Sequence, residues 1–280
     1  MNVGIVTDSA CSLPAELVAA NEVVIVPMHL NVGDESYLDG ELSLEEVVGQ
    51  LKDGITTSGP GPGEVAKAVR AADRGAGVVV LTVSQQMSST FSAARLAKMS
   101  LEGEHRVAVV DTGTAAGAQG LVVLAASKAA RAGETLESVV ATAEGVAARV
   151  RLLATLPSLA HLARSGRVPG AAAWGAAWLG LNAMFEFRSG KVRPLRPSRS
   201  PEAARQRIVE AFVADLGRAS GKRAHLAALH SMDKPVAEDL LAQASRWTEP
   251  ATAFVGSFSS VMIVHTGPGL AGLAWWIEGP

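Results

Sequence analysis

The sequence predicts an α/β protein of two lobes: an N-terminal lobe built on a parallel sheet over residues 1–152, and a C-terminal α+β lobe on a mixed sheet over residues 153–280. Three observations lead there. The chain has 280 residues and 48% of them are hydrophobic, enough for one large core or for two of the ~100–150 residues commonest in domains. In the first half, short apolar runs alternate with helical patterns, which is the signature of a parallel sheet with covering helices. In the second half that alternation breaks down into hairpin-like and isolated strands, which suggests mixed strand order.

Taken in order, residues 3–6 read as a strand ending at Thr7-Asp8-Ser9. A helix follows over 14–20, with Ser12 expected as its N-cap and Pro14 in its first turn. Residues 23–27 form a second strand. Residues 43–51 are helical, since Ser43 is followed three residues later by Glu46, the capping-box spacing. A helix over 63–72 precedes the continuous apolar run 78–83, the kind of strand buried on both faces of a parallel sheet. A helix over 90–99, a strand over 107–110 and two longer helices over 115–130 and 135–149 complete the first lobe.

The second lobe opens with a strand at 152–155 and a short helix reaching Arg164. After an uncharged stretch, 184–187 and 192–195 are two strands joined by the turn Arg188-Ser189-Gly190-Lys191. An amphipathic helix over 201–216, a strand over 225–230, a helix over 236–247 and a strand over 253–257 follow. Residues 261–265 and 272–277 read as two closing strands around a Gly-Pro-Gly turn. No flexible linker, internal repeat or low-complexity tract separates the lobes.

Composition narrows the function. Basic residues number 25 against 27 acidic, for a net charge of −2, and no basic stripe appears, so nucleic acid is not an expected partner. Aromatics at 4% also speak against base stacking. The single cysteine, Cys11, cannot form a disulfide within the chain or build a cysteine-rich zinc site, and it suits a reducing cytoplasm. The N-terminus lacks the basic start and apolar core of a secretory signal, so a cytoplasmic location is expected. Residues 168–185 carry no charge and approach the ~18–20 residues of a membrane span. Pro169, Gly170, Gly175, Gly180 and Asn182 interrupt them, and much of the rest is alanine. The expectation is a buried segment of a soluble core, with no integral span, whose small side chains leave room for a ligand chain. Nothing demands a dimer, and a monomer is expected.

Three polar loops are candidates for binding. Thr56-Thr57-Ser58-Gly59-Pro60-Gly61 sits before a helix, where glycine lets backbone N–H groups approach an anion; it could equally be a rigid capped loop. It is not a phosphate loop, because no Gly-Lys-Ser/Thr follows. Ser84-Gln85-Gln86-Met87-Ser88-Ser89-Thr90 follows the apolar run 78–83, and loops at carboxyl ends of parallel strands are where such sheets bind ligands; Ser88 or Ser89 could instead be a plain N-cap. His265-Thr266-Gly267-Pro268-Gly269 ends an apolar run, where the histidine could donate to an anion or be structural. His29, His105, His161, His225 and His230 show no metal-ligand spacing, so neither a metal nor a cofactor is expected. Ser9 with His265 and an aspartate could be imagined as a hydrolase triad, although no Gly-x-Ser-x-Gly elbow is present. Cys11 has no activating neighbour and reads as a small buried thiol. Arg167 is either a solvated helix-end charge or a cation at the mouth of an apolar cavity.

Together these motifs resemble the DegV family of fatty-acid-binding proteins, nearly end to end. Val6-Thr7-Asp8-Ser9 looks like its opening strand and loop, and Tyr37-Leu38-Asp39-Gly40 like its acidic turn. Thr57-Ser58-Gly59-Pro60 is similar to its Thr-Ser-Gln-Pro loop, and Ser84 through Thr90 to its Ser-Ser-Gly-Leu-Ser-Gly-Thr stretch. Val110-Asp111-Thr112, Gly166-Arg167-Val168 and His265-Thr266-Gly267-Pro268-Gly269 match further elements in the same order. The departures are Gln85-Gln86 for Ser-Gly, Ser89 for Gly and Gly59 for Gln. The resemblance implies one long-chain fatty acid buried between the lobes, its carboxylate held by Thr57 and Ser88 with His265 nearby. Arg167, Ser58, Ser89, Thr266 and Gly267 are then expected at or beside the pocket. It further implies a carrier without turnover of its own, which presents the acyl group to a fatty acid kinase subunit for acyl-phosphate formation in phospholipid synthesis. Arg199 is the expected docking residue, with Arg193 and Arg196 close by. The alternative is a serine hydrolase acting on acyl esters through Ser9 or Ser88 with His265.

Overall fold

The computed structural model describes residues 2–52, 54–168, 170–173, 180–219 and 223–279. Strands β1 (Gly4–Asp8) and β2 (Val23–Val26) bracket a 3-10 turn at Ser9–Cys11 and helix α1 (Ala15–Ala20). Strands β3 (His29–Val32), β4 (Glu35–Leu38) and β5 (Thr56–Ser58) flank helix α2 (Leu44–Gly49). Next come α3 (Pro62–Ala72), β6 (Val78–Thr82), α4 (Thr90–Ser100), β7 (Val107–Asp111), α5 (Ala116–Arg131) and α6 (Leu136–Ala147). The order β2-β1-β6-β7 is parallel throughout, as the alternation of strand and helix predicts. Every residue of β6 is buried, which explains its uninterrupted Val-Val-Val-Leu run.

The second sheet begins at β8 (Arg151–Leu156). Helix α7 (Ala160–Ser165), the hairpin β9 (Asn182–Arg188) and β10 (Lys191–Ser198), and helix α8 (Pro201–Ala219) follow. Strand β11 (Ala224–His230), α9 (Lys234–Ser245), β12 (Thr252–Ser257), α10 (Ser260–Thr266) and β13 (Ala271–Ile277) complete the chain. The order is β10-β9-β8-β13-β11-β12, and only β11 and β12 run parallel. Alternation along each strand divides its two faces. Leu153, Met184 and Leu273 pack on α8 and α9, while Leu152, Ala154, Phe185 and Phe187 face the N-terminal sheet.

Helix α5 lies between the two sheets, packing on β1 and on β11 and β13. It is apolar nearly all round, as a helix buried on every side must be. Its glycines set the spacing. A Cβ at Gly117 would stand 2.7 Å from Ala227 Cβ, and one at Gly120 would stand 2.7 Å from the Cys11 carbonyl oxygen.

Two sequence expectations are corrected and one unforeseen sheet is found. Residues 261–265, expected as a strand, form helix α10: a short run of Val, Met and Ile fits either period, and the Asp39 carboxylate accepts from Val261 N at its first turn. Ser12 is not the cap of α1; it ends the 3-10 turn in left-handed conformation, and Pro14 precedes the helix. The three-stranded sheet β4-β3-β5 is absent from the sequence reading, because its strands are short, largely solvent-facing and carry little apolar alternation. The capping box Ser43–Glu46 forms as expected. Of the uncharged segment, Val168 and Ala171 are buried, Ala172 and Ala173 are exposed, and Pro169 and residues 174–179, including Gly175, lie outside the described residues.

Candidate ligand site

One apolar cavity of about 510 Å3 lies between the inner face of the C-terminal sheet and the loops that end β5 and β6. Its size is within the ~300–1,000 Å3 usual for small-molecule sites. Strands β8 to β10 supply Leu152, Ala154, Phe185, Phe187 and Val192, and α10 with its approach supplies Phe258, Val261 and Met262. Leu162 of α7, Val168 and Leu270 close the wall. The polar side chains gather at Thr57, Ser58, Gln86, Ser88, Ser89, His265 and Thr266. Ser58, Gln86 and Ser89 are exposed as well as lining, so the polar end is the end that meets solvent.

Each loop is held by the fold. Thr57 pairs with Leu30 in the small sheet, which fixes its height beside α10. Thr57 Oγ1 is 2.8 Å from His265 Nε2. Burial, helped by the Arg167 charge, pushes the His265 imidazole down to about 4, so the ring is neutral at pH 7. Its buried Nδ1 has no hydrogen-bond partner among the described residues. A buried N–H without an acceptor is rare, so this pattern assigns the proton to Nε2, which donates to Thr57 and leaves the Thr57 proton free. Ser88 Oγ lies 2.8 Å from Thr90 Oγ1. The loop that carries Ser88 starts where Val83 N donates to the Asp8 carboxylate at 2.7 Å. Asp8 also accepts from Gln119 and Ala10, while burial pushes its carboxyl up to about 6.

Arg167 lines the cavity and is the only charged side chain among the described residues that do so; its guanidinium also donates to the Ser165 carbonyl at 2.8 Å. Thr57, Ser58, Ser88, Ser89, Arg167, His265 and Thr266 therefore converge on one cavity from four separate segments. Gly267 does not line it: this glycine ends α10 at φ +72° and abuts His161, where a Cβ would stand 2.6 Å from the ring. Arg199 is also outside it, exposed just after β10.

The arrangement can hold an anionic head and an apolar tail. Hydrolase geometry is not assembled. Ser9 Oγ is engaged by Asp39 at 2.6 Å and by Met28 N at 3.1 Å, and it does not line the cavity. His265 bonds Thr57 and no serine, and no carboxylate bonds its Nδ1 among the described residues. Burial pushes the Cys11 thiol up to about 12, so it remains protonated. Among the described residues, no cluster of His, Cys, Asp or Glu is placed to hold a metal, and no helix is long and apolar enough to cross a membrane.

Sequence reasoning missed the wall from β8 to β10 and the roles of Asp39 and Thr90, which it named only as members of an acidic turn and of the second polar loop. The alternation Ala183, Phe185, Phe187 in β9 was a usable signal for the wall. The motifs marked Asp39 and Thr90 as positions of interest but not their partners, since Asp39 reaches Val261 across the chain and the Thr90 contact with Ser88 is set by the loop's conformation.

Comparison with known proteins gives the family and the fold. A family model described as "Uncharacterised protein, DegV family" matches residues 2–278. A DegV domain-containing protein of Streptomyces coelicolor is 34% identical over 279 residues, covering 97% of each chain. Among solved structures, a DegV family protein from Thermus thermophilus, described for its fatty acid binding, superposes with a TM-score of 0.90 at 30% identity, covering 99% of this chain and 100% of that one. DegV from Bacillus subtilis, described as a fatty acid binding protein, gives 0.86 at 25% identity over 99% and 100%.

Proposed function

This chain belongs to the DegV family, and on that footing we propose that it binds one long-chain fatty acid, with the carboxylate at Thr57 and Ser88 and the acyl chain in the apolar cavity. The observation that carries the reading is the polarity of that cavity: hydroxyls, one neutral imidazole and one arginine among its lining, and otherwise aliphatic and aromatic walls. Burying an acyl chain contributes ~0.8 kcal/mol per methylene, so about fourteen methylenes supply roughly 11 kcal/mol as an upper figure. The head group then needs only to be satisfied, because an unpaired buried anion is costly. Two hydroxyl donors with Arg167 nearby meet that need.

In this reading the protein is a carrier without turnover of its own, in the cytoplasm and as a monomer. It offers the carboxylate, at the cavity's open end, to a fatty acid kinase subunit for acyl-phosphate formation. The edge strand β10 supports a docking role for Arg199, which directly follows it, since Lys191, Arg193 and Arg196 are exposed along that strand. Denaturing mass spectrometry of the purified protein tests the binding: a co-purified or readily loaded fatty acid is expected. Protein that is empty and takes up none removes the reading. Phosphorylation of loaded protein by a fatty acid kinase, lost in Arg199→Glu, tests the presentation step.

A further inference from the structure

We propose that Thr90 is a positioning residue that fixes the Ser88 hydroxyl as a donor to the ligand carboxylate, and that glycine suits position 59 of this chain because Ser88, Ser89 and Thr90 together occupy the space of a side chain. The proposal rests on the carboxylate reading of the site.

Two groups of Thr90 approach Ser88 Oγ: its hydroxyl at 2.8 Å and its backbone N at 3.3 Å. The N–H can only donate, so it engages one lone pair of the serine oxygen. The Thr90 hydroxyl is buried and has no other side-chain hydrogen-bond partner among the described residues. When it donates as well, both lone pairs of Ser88 are engaged. The Ser88 proton then has one direction left, the cavity, which Ser88 lines and Thr90 does not. The opposite orientation would turn a serine lone pair toward a carboxylate and leave the Thr90 proton buried without an acceptor, which is unfavourable on both counts. The result parallels Thr57, whose oxygen receives the His265 Nε2 proton. Each carboxylate-facing hydroxyl thus has a donor behind it, and each is left as a donor in front.

Gly59 completes the arrangement. It is not among the positive-φ residues, so its backbone does not require glycine. Its surroundings do: a Cβ there would stand 2.9 Å from Thr90 Oγ1 and 3.2 Å from both Ser88 Oγ and Ser89 Oγ. With Ser89 where the resembled pattern has Gly, a side chain at 59 of this chain presses on all three hydroxyls, and the loop that carries Thr57 is packed directly on the loop that carries Ser88.

The test uses delipidated full-length protein and oleate, with the dissociation constant measured for wild type, Thr90→Val, Thr90→Ser, Gly59→Ala, Ser88→Ala and the double variant Ser88→Ala with Thr90→Val. Valine keeps the volume of threonine and removes its hydroxyl. Thr90→Val and Gly59→Ala should each weaken binding about tenfold, and Thr90→Ser should restore it. In the Ser88→Ala background Thr90→Val should cost nothing further, a non-additivity that a merely structural threonine would not produce. Wild-type uptake with Thr90→Val and Gly59→Ala binding as tightly would overturn this proposal alone. The same full loss from Thr90→Val with and without Ser88 would also overturn it. Wild-type protein that takes up no oleate would overturn the carboxylate reading and this proposal with it.

Discussion

Replacing His265 with glutamine should invert the sign of its effect on stability between neutral and acid pH. In the folded, ligand-free protein the imidazole charges only at about 4, against an ordinary value of 6.5. Between those values the unfolded chain holds the proton and the folded chain does not. Folding stability is therefore lost as pH falls through that window, and is untouched above it. The ceiling of the loss is about 3.4 kcal/mol, from roughly 2.5 pH units at ~1.36 kcal/mol each, and about 2.5 kcal/mol of it is lost at about pH 4.5. Glutamine does not titrate, and its amide can still donate to Thr57. At about pH 7.5 the variant should be less stable by about 1 kcal/mol, for one weakened buried hydrogen bond. Near pH 4.5 it should be the more stable protein. Urea unfolding of both delipidated proteins at the two pH values measures this. Other groups cancel in the difference, including Asp8, whose raised value works in the opposite sense: its folding cost is present above about 6 and is lost as pH falls below it. A difference between the two proteins that is the same at both pH values would refute the argument that burial keeps His265 neutral.

Further predictions follow from the same cavity. Thr57→Val and Ser88→Ala each remove a hydrogen bond to a charged head group, and each should weaken fatty acid binding by roughly 10- to 100-fold; titration with a fluorescent fatty acid measures it, and unchanged values for both would remove these residues from the site. Arg167→Gln removes the charge that lines the cavity, so binding should weaken several-fold and lose most of its salt dependence, which titrations at low and high ionic strength compare. Ala154→Phe fills part of the wall contributed by β8, and the co-purified acyl chains should become shorter by mass spectrometry.

The N-terminal parallel sheet was legible because its central strands β1 and β6 are fully buried and a helix of that lobe carries an end signal, at Ser43 and Glu46. The convergence of Thr57, Ser88 and His265 was not derivable from spacing, since 208 residues separate Thr57 from its partner. Their types and order suggested the grouping; only the tertiary structure brings them together. The helix that carries His265 was misread because its start is stabilised from outside, by Asp39 in another part of the chain. The apolar wall was half legible: β9 and β10 were recognisable as a hairpin, but which face of each strand meets the ligand depends on where α5 and α8 pack.

Helix α5 is shared by both sheets, and its glycines bring backbone and side chains closer than any larger residue would permit. A clam-shell motion of the lobes would have to pull that helix off one sheet at the cost of the core itself. In the proposed carrier a fatty acid would then enter and leave past the loops and short helices around the cavity, with the frame held by α5. A partner of the kind proposed would then tell loaded from empty protein at the rim, where Ser58, Gln86 and Ser89 meet solvent, by touching the head group and not by sensing the outline of the molecule.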